Sequence, residues 1–411
     1  MARRRKRKSL LTRLLGFFLR VLLLVLLVCL GLYAARRAGI LQESEPESIQ
    51  PEVPAVSEVP KEQPEAVTEA LPGNEAYYYK FLTEDEQAVY RIILQACENY
   101  DFEPELRGGT DEDTMYHAVI AFTEDCPQYY WVNSTYTYYR NAFGRIVSLS
   151  FPSNGTERET LARIEQTADA VLADCPGSPY EAYKYLYDWI IDTADYDEAA
   201  PNGQNLNGVI LDHRAVCAGY SKAYQYLCER AGLFCTTVSG TAVMKDGSYG
   251  SHAWNLIRIG DRYYWADTTW GDPMFEGSEA PGKNYNYFCV SDRVINAEHR
   301  VETALRNNEE RTPLNVGYPT CDDDSLDWYV RNGSYFETYD PEAVRQYILR
   351  TAPYTDRTEL KFGSPEVLNE AISDLIYGER YFQILQEAGI SCTSLSYALF
   401  ESLGAVWLSP A

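Results

Sequence analysis

Apolar residues recur every three or four positions in seven stretches of the chain, a spacing typical of amphipathic helices. The stretches are TEDEQAVYRIILQACENY, DEDTMYHAVIAFTEDCP, ERETLARIEQTADAVLADC, PYEAYKYLYDWIIDTADYD, PEAVRQYILRTA, SPEVLNEAISDLIYG and YFQILQEAGIS. The first carries Thr83 just before the helix and Glu86 three positions later, which is the pattern of a capping box. A further helix is predicted to begin at Cys217.

Other stretches alternate between apolar and polar residues, which predicts β-strands. QYYWVNSTYTYYR and RIVSLSF form one predicted hairpin, and FCTTVSGTAV, SHAWNLIRI and RYYWADTTW form a larger antiparallel set in the middle of the chain. YNYFCVSD is predicted as a further short strand.

Residues 1–40 have the pattern of a membrane anchor. Six of the first eight residues are basic, and a nearly continuous apolar run follows. Its uninterrupted part, Val21–Ala35, is a little shorter than the roughly 20 residues of a spanning helix. Including Leu14–Leu19, with Arg20 displaced toward the headgroups, makes it long enough. The basic excess before the run predicts a single-pass cell-membrane protein with a cytoplasmic N-terminus and extracytoplasmic domains.

A cleaved signal peptide is the alternative for this segment. Arg36 and Arg37 stand where the small residues of a cleavage site would be expected, so an uncleaved anchor is favoured. Residues 41–74 are rich in Glu and Pro, which keep a chain extended and unable to form a core. They are predicted to be a disordered linker that holds the folded part away from the membrane.

The rest of the chain divides into three predicted domains. An N-terminal α/β module spans 75–155, a central domain 156–305 and a C-terminal α/β module 306–411. ELRGG and ELKFG each precede a helix in the outer modules, and FGRIVSLSFP and LGAVWLSP each close them. We therefore hypothesise a duplicated module, which requires the same strand order in both copies. Chance similarity is the alternative.

Composition limits the classes of function. The formal net charge is −24 despite the basic N-terminus, and so acidic a body would repel phosphates, which argues against nucleic acid as a partner. Nine of the ten cysteines follow the apolar run, and an odd number leaves at least one unpaired within the chain. No Cys-x-x-Cys pair occurs, so neither a structural zinc site nor a cofactor is predicted.

Cys217 is the candidate nucleophile. Helical spacing begins at this residue and continues through Tyr220, Ala223, Tyr224, Leu227 and Ala231. Free backbone N–H groups in the first turn of a helix stabilise a thiolate and can hold a developing oxyanion. The alternative is an ordinary buried thiol. That alternative suits Cys228 and Cys235 better, because they lie in mid-helix and on a strand.

His252 and Asp267 are the candidate partners of Cys217. A two-residue turn at Gly260 and Asp261 joins two alternating runs, which predicts a hairpin. In that register His252 lies diagonally across from Asp267 on the same face of the sheet. The carboxylate could then orient the imidazole and stabilise its charged form. A register shift of one residue would place the two side chains on opposite faces.

The other histidines have weaker cases. His213 is near Cys217 in sequence and could line the same pocket. His117 is predicted at the surface or boundary of a helix, and His299 in a loop.

The blocks AVCAGYSKAYQYLCERAGL and SHAWNLIRIGDRYYWADTTWGDP, with their Cys, His and Asp in this order, resemble the transglutaminase-like superfamily. The resemblance covers about the middle third of the chain. It implies a papain-like α+β core and a Cys217–His252–Asp267 triad that acts through a thioester. The backbone N–H of Cys217 would help to bind the oxyanion. Gln204, Asn205 and Tyr196 are the candidate side-chain donors. Nothing resembles the calcium loops of some animal members.

The expected function is thiol acyl transfer on peptide or protein carboxamides at the cell surface, with cell-wall peptides among the candidate substrates. The acyl group would pass to water or to an amine, and water is favoured. The alternative is a binding or scaffold module for wall peptides or glycans, in which the three residues serve no reaction.

Overall fold

The computed structural model describes residues 76–133, 135–244, 247–272, 282–306 and 311–411. The predicted anchor (1–40) and the predicted linker (41–74) lie outside these residues. Within the described ranges, no helix is long and apolar enough to cross a bilayer.

The N-terminal module contains two helices and three strands. In chain order they are α1 (Glu84–Glu98), β1 (Glu105–Thr110), α2 (Glu112–Asp125), β2 (Thr137–Arg140) and β3 (Ile146–Ser150). The capping box predicted at the start of α1 is present, since the Thr83 hydroxyl accepts the Glu86 N–H and the Glu86 carboxylate accepts the Thr83 N–H. The strand predicted from residue 128 is confined to β2. The ELRGG segment, predicted only to precede a helix, is itself strand β1.

The central domain is a mixed α/β unit. Its helices are α3 (Glu157–Leu172), α4 (Pro179–Thr193), α5 (Leu206–Ile210), α6 (Cys217–Arg230) and α7 (Asp292–Ile295). Its strands are β4 (Asp195–Tyr196), β5 (Arg214–Ala215), β6 (Cys235–Val243), β7 (Tyr249–Ile259), β8 (Arg262–Ala266), β9 (Phe288–Val290) and β10 (His299–Val301). Five of the strands form an antiparallel sheet in the order β10-β6-β7-β8-β9.

Both faces of this sheet are covered. Trp254 and Leu256 of β7 pack into the core shared with the N-terminal module, whereas Ile257 and Tyr264 pack with helices α4 and α6. Strand β7 is therefore buried on both sides over 252–257, although its ends are open.

The C-terminal module follows a two-stranded ribbon of β11 (Ala304–Leu305) and β12 (Leu314–Asn315). Its helices are α8 (Trp328–Asn332), α9 (Pro341–Thr351), α10 (Pro365–Ile372) and α11 (Arg380–Glu387), with a π-helical turn at Ser373–Tyr377. Its strands are β13 (Tyr335–Phe336), β14 (Thr358–Phe362), β15 (Leu395–Phe400) and β16 (Ala405–Pro410), in the order β13-β14-β16-β15.

Three strands have the same order in the two outer modules, and the C-terminal sheet adds β13 beside β14 as a fourth. In chain order each module has a helix, a strand, further helical residues and a two-stranded hairpin. The second strand of the hairpin lies between the other two strands, in the orders β1-β3-β2 and β14-β16-β15.

The register agrees at one pair, since Glu105 of ELRGG pairs with Ser148 and Glu359 of ELKFG pairs with Trp407. These partners occupy matching places in VSLS and VWLS. Beyond that pair β1 is irregular, and Thr110 faces Ile146, whereas β14 continues regularly to Lys361 and Ala405. The common order of these three strands is compatible with the duplication hypothesis, which a superposition of the two modules would test.

Candidate active site

Helix α6 begins at Cys217, as the spacing predicted. The Val216 N–H donates to the Gly203 carbonyl at 3.0 Å, and the N–H groups of Gly219 and Tyr220 both donate to the Val216 carbonyl. Among the described residues, no backbone acceptor takes the N–H of Cys217 or of the residue after it. The half-buried thiol thus lies beside backbone donors that an oxyanion could use.

The glycine of the CAGYS segment allows a close approach of two chain segments. A Cβ at Gly219 would lie 2.5 Å from the Gly203 carbonyl oxygen and 3.0 Å from that of Asn205. Any larger residue would push residues 203–205 away, and with them Gln204, the neighbour of the thiol.

His252 and Asp267 meet as the hairpin register predicted. Ile259 pairs with Arg262 across the turn, and the diagonal then brings His252 Nε2 to 2.7 Å from Asp267 Oδ2. The two side chains are 2% and 0% exposed. The Cys217 thiol lines the same cavity as His252 and is near enough to help raise the pKa of the imidazole. Since Nε2 is engaged by the carboxylate, Nδ1 is the ring atom that serves the sulfur.

The surroundings favour the charged form of His252. Burial by itself would lower the pKa of this imidazole. The negative charge and hydrogen bond of Asp267, followed by the contact with Cys217, outweigh it and raise the pKa of His252 to about 10. Burial likewise opposes ionisation of Asp267, yet its two histidine partners hold the pKa of that carboxyl below its usual range. The pair is therefore an imidazolium beside a carboxylate.

His299 is a residue of this site that the sequence did not reveal. The loop prediction is wrong, because His299 lies on strand β10, is fully buried and contacts Asp267 Oδ2 through Nε2 at 3.0 Å. Its ring packs against Trp270 and Trp254 at 4.6 and 5.0 Å between centroids. Strand β10 has three residues, too few for a periodic signal, and only its pairing with β6 brings His299 to the carboxylate.

The other two histidines lie elsewhere. His213 is exposed and is not among the residues that line the cavity of Cys217. His117 is buried rather than at a surface. Its Nδ1 contacts Glu86 at 2.6 Å and its Nε2 contacts the Thr312 carbonyl at 3.0 Å, so it joins α2 to α1 and to the chain beyond β11.

The thiol opens onto a cavity of about 560 Å³, which we call the thiol cavity. Cys217, His252 and Gln204 line it from the central domain, and Tyr116 and Ile120 line it from helix α2. Gln204 is thus the upstream donor candidate best placed for an oxyanion.

The other two donor candidates are placed differently. Asn205 occupies the N-cap position of helix α5. Tyr196 lines a neighbouring cavity. Burial, and then the nearby Cys217, raise the pKa of Tyr196 to about 12, so its phenol stays protonated and can donate.

His252, Asp267 and His299 also present ligand atoms within 4.8 Å of one another, a set of the kind that zinc accepts. Their distances of 2.7 and 3.0 Å are those of hydrogen bonds, and a metal would have to replace both. The arrangement fits a hydrogen-bonded triad better than a metal centre. The nine described cysteines are all unpaired, and Cys228 and Cys235 are buried, as expected.

Comparison with known proteins now bears on this site. Residues 166–268, which contain all three candidate residues, match the sequence model of the transglutaminase-like superfamily. This domain belongs to that superfamily. The superfamily assignment expected from the sequence is thereby confirmed, together with a mixed α/β fold around a transglutaminase-like core.

Individual relatives are more distant. Human kyphoscoliosis peptidase is 26% identical over 109 residues, which are 23% of this chain and 16% of the human protein. The mouse protein is 25% identical over 112 residues, 24% of this chain and 17% of its own length. The match thus spans less than a fifth of either relative. The crystal structure of a TGase aligns with 36% of this chain and 45% of its own, at 15% identity and a TM-score of 0.25, too weak a likeness to support a conclusion.

Proposed function

We propose that this protein is a thiol acyl-transfer enzyme that acts on carboxamides of peptides or proteins. A half-buried thiol that shares a cavity with an imidazole, itself held by a buried carboxylate, is the observation that carries the proposal. A sulfur nucleophile needs a base that is in turn oriented by a third group, and Cys217, His252 and Asp267 supply those parts.

In the proposed mechanism, the Cys217 thiolate attacks the carbonyl carbon of the carboxamide. The Cys217 N–H and the Gln204 side chain stabilise the oxyanion. The His252 imidazolium then gives its Nδ1 proton to the leaving amine, and a thioester remains. His252, now neutral, takes a proton from the incoming water or amine. Collapse of the second tetrahedral species then expels the Cys217 thiolate and restores it beside the His252 imidazolium. Asp267 stays ionised throughout and fixes the tautomer of His252.

Water is the proposed acceptor. Gln204, beside the thiol, is exposed, and the thiol cavity admits solvent, which favours hydrolysis over a transfer that must exclude water. The name peptidase carried by the two curated relatives supports the same choice. With the predicted anchor in residues 1–40, the enzyme would act on surface or cell-wall peptides.

The nucleophile can be tested by alkylation of the full chain with iodoacetamide near neutral pH, read by peptide mass spectrometry. Cys217 should react much faster than Cys175 and Cys392, which are also half-buried, and His252→Ala should remove the difference. Equal labelling of the three thiols would instead favour a binding or scaffold module.

The acceptor is tested by incubating the full chain with glutamine-containing peptides and a tagged amine. A free acid as the product means hydrolysis, whereas incorporated amine means crosslinking chemistry.

A further inference from the structure

A second cavity, of about 1,090 Å³, adjoins the candidate active site, and no residue of helix α2 is among its described lining residues. We call it the acidic pocket. Tyr196 and Trp270 line it, and both are close to the triad. The Trp270 ring lies 5.7 Å from the His252 ring, and Cys217 lies near enough to Tyr196 to perturb it. A substrate whose carboxamide reaches the sulfur can therefore extend into this pocket.

The far wall of the pocket comes from the C-terminal module. Residues 399–402, at the tip of its hairpin, complete the lining. The Ser402 hydroxyl donates to Glu298 Oε1 at 2.5 Å, and the Tyr287 hydroxyl donates to Glu298 Oε2 at the same distance. Glu298 thus ties the hairpin to the segment that leads into His299. The pocket exists only because the module and the central domain meet there.

The lining combines aromatic rings with carboxylates. Tyr196, Trp270, Tyr287 and Phe400 supply rings, and no lysine or arginine is among the described lining residues.

Four carboxylates line the same pocket: Asp197, Glu198, Glu298 and Glu401. Asp197 is paired with Arg214, whereas Glu198 and Glu401 are exposed and have no ion-pair partner among the described residues. Rings beside free carboxylates suit a long alkyl chain that ends in a cation.

We propose that the acidic pocket binds the lysine or arginine side chain of the substrate, near the carboxamide that Cys217 attacks. The proposal rests on the proposed function for its substrate class. It adds that the enzyme selects substrates by positive charge and that the C-terminal module provides part of the selection. A neutral residue would fill the apolar part of the pocket and leave both exposed carboxylates without a partner.

A pair of alkylating reagents tests the pocket without any need for turnover. N-hexyl iodoacetamide and N-(6-aminohexyl) iodoacetamide differ by a terminal ammonium, and their rates at Cys217 and at Cys392 of the full chain are compared. The cationic reagent should gain about three- to tenfold at Cys217 relative to Cys392, as expected for two partly exposed charge pairs, and high salt should reduce the gain.

The Glu198→Gln/Glu401→Gln double variant should lose this gain and keep the N-hexyl rate, which also reports that the site has folded. Glu370→Gln, the same type of substitution at one exposed position outside the pocket, should keep the gain. No gain at Cys217, or one that survives in the double variant, would overturn the proposal. If the N-hexyl reagent reacts no faster at Cys217 than at Cys392, the proposed function fails. The ratio of the rates of the two reagents at Cys217 still tests whether the pocket binds a cation.

A free amine that serves as the acyl acceptor could occupy the acidic pocket in place of a lysine side chain of the substrate. Glutamine peptides with lysine or norleucine beside the glutamine should differ in kcat/KM, and the double variant should abolish the difference. If added hexylamine is instead incorporated, and the double variant loses that incorporation, the pocket holds the acceptor and the assignment to the substrate side chain is wrong.

Discussion

Replacing Asp267 by asparagine should uncouple the candidate triad with little change of shape. Oδ1 of Asp267 accepts two backbone N–H groups, and Oδ2 accepts from His252 and His299. The backbone donors would keep the oxygen of an asparagine where Oδ1 now lies, so its NH2 group would face both imidazoles. His252 would then have to accept at Nε2 and carry its proton on Nδ1. That tautomer cannot take a proton from Cys217.

The magnitude follows from the pKa of His252. A rise from the ordinary 6.5 to about 10 corresponds to ~5 kcal/mol in favour of the imidazolium, of which Asp267 supplies the largest favourable share. Without the carboxylate, burial dominates and the pKa of His252 should fall below 6.5. At pH 7 the ring would be neutral and the thiolate would lose its counterion, so the alkylation rate of Cys217 should fall about 100-fold.

The assay is the rate of iodoacetamide labelling of Cys217 between pH 5 and pH 10, read by mass spectrometry. Asp322→Asn, the same change at an exposed position, is the matched control and should label like the wild type. Labelling of Asp267→Asn at the wild-type rate across this range would refute the reasoning, because the protonation of His252 would then not depend on Asp267.

Three further predictions concern titration. Acyl transfer should lose activity in alkali only near pH 10, because His252 must be protonated to release the amine; a loss near pH 7 in a kcat profile would contradict its raised pKa. His299→Leu should lower kcat roughly tenfold with KM unchanged. It should also move the alkaline limb of the pH profile to higher pH, because Asp267 would then interact with His252 alone. His299→Asn should restore part of the lost kcat. Burial, opposed by two backbone N–H groups, raises the pKa of Asp125 from 3.8 to about 7, so the proton is retained on folding. The stability from this group is present below pH 4 and is lost as the pH rises through 7, about 4 kcal/mol in all. Chemical unfolding of wild type and Asp125→Asn should show about 3 kcal/mol of this loss between pH 5 and pH 8.

The sequence predicted the parts of the site that local rules determine. Helical spacing sets the first residue of α6, and a helix start is where a thiol gains free N–H groups. The two-residue turn at 260–261 fixes the register of β7 on β8, and the register places His252 near Asp267. Each of these inferences needed only a stretch of about 15 residues.

Parts that depend on distant pairing could not be predicted in this way. His299 reaches Asp267 only because β10 pairs with β6, more than 50 residues earlier in the chain. Strand β1, with the sequence ELRGGT, has no apolar alternation and becomes a strand by pairing with β3. Tertiary contacts that carry little local signal were missed for that reason.

The two outer modules approach the candidate active site with different parts of the same arrangement. The N-terminal module presents helix α2 to the thiol cavity, whereas the C-terminal module presents the tip of the β15–β16 hairpin to the acidic pocket. The matching hairpin tip of the N-terminal module carries Phe143, which is 91% exposed and does not line either cavity. If the modules arose by duplication, the two copies have come to use different parts of the same arrangement at the cleft. The central domain then supplies the chemistry and the modules supply the walls of the cleft, so exchanging module residues should alter substrate preference before it alters the reactivity of Cys217.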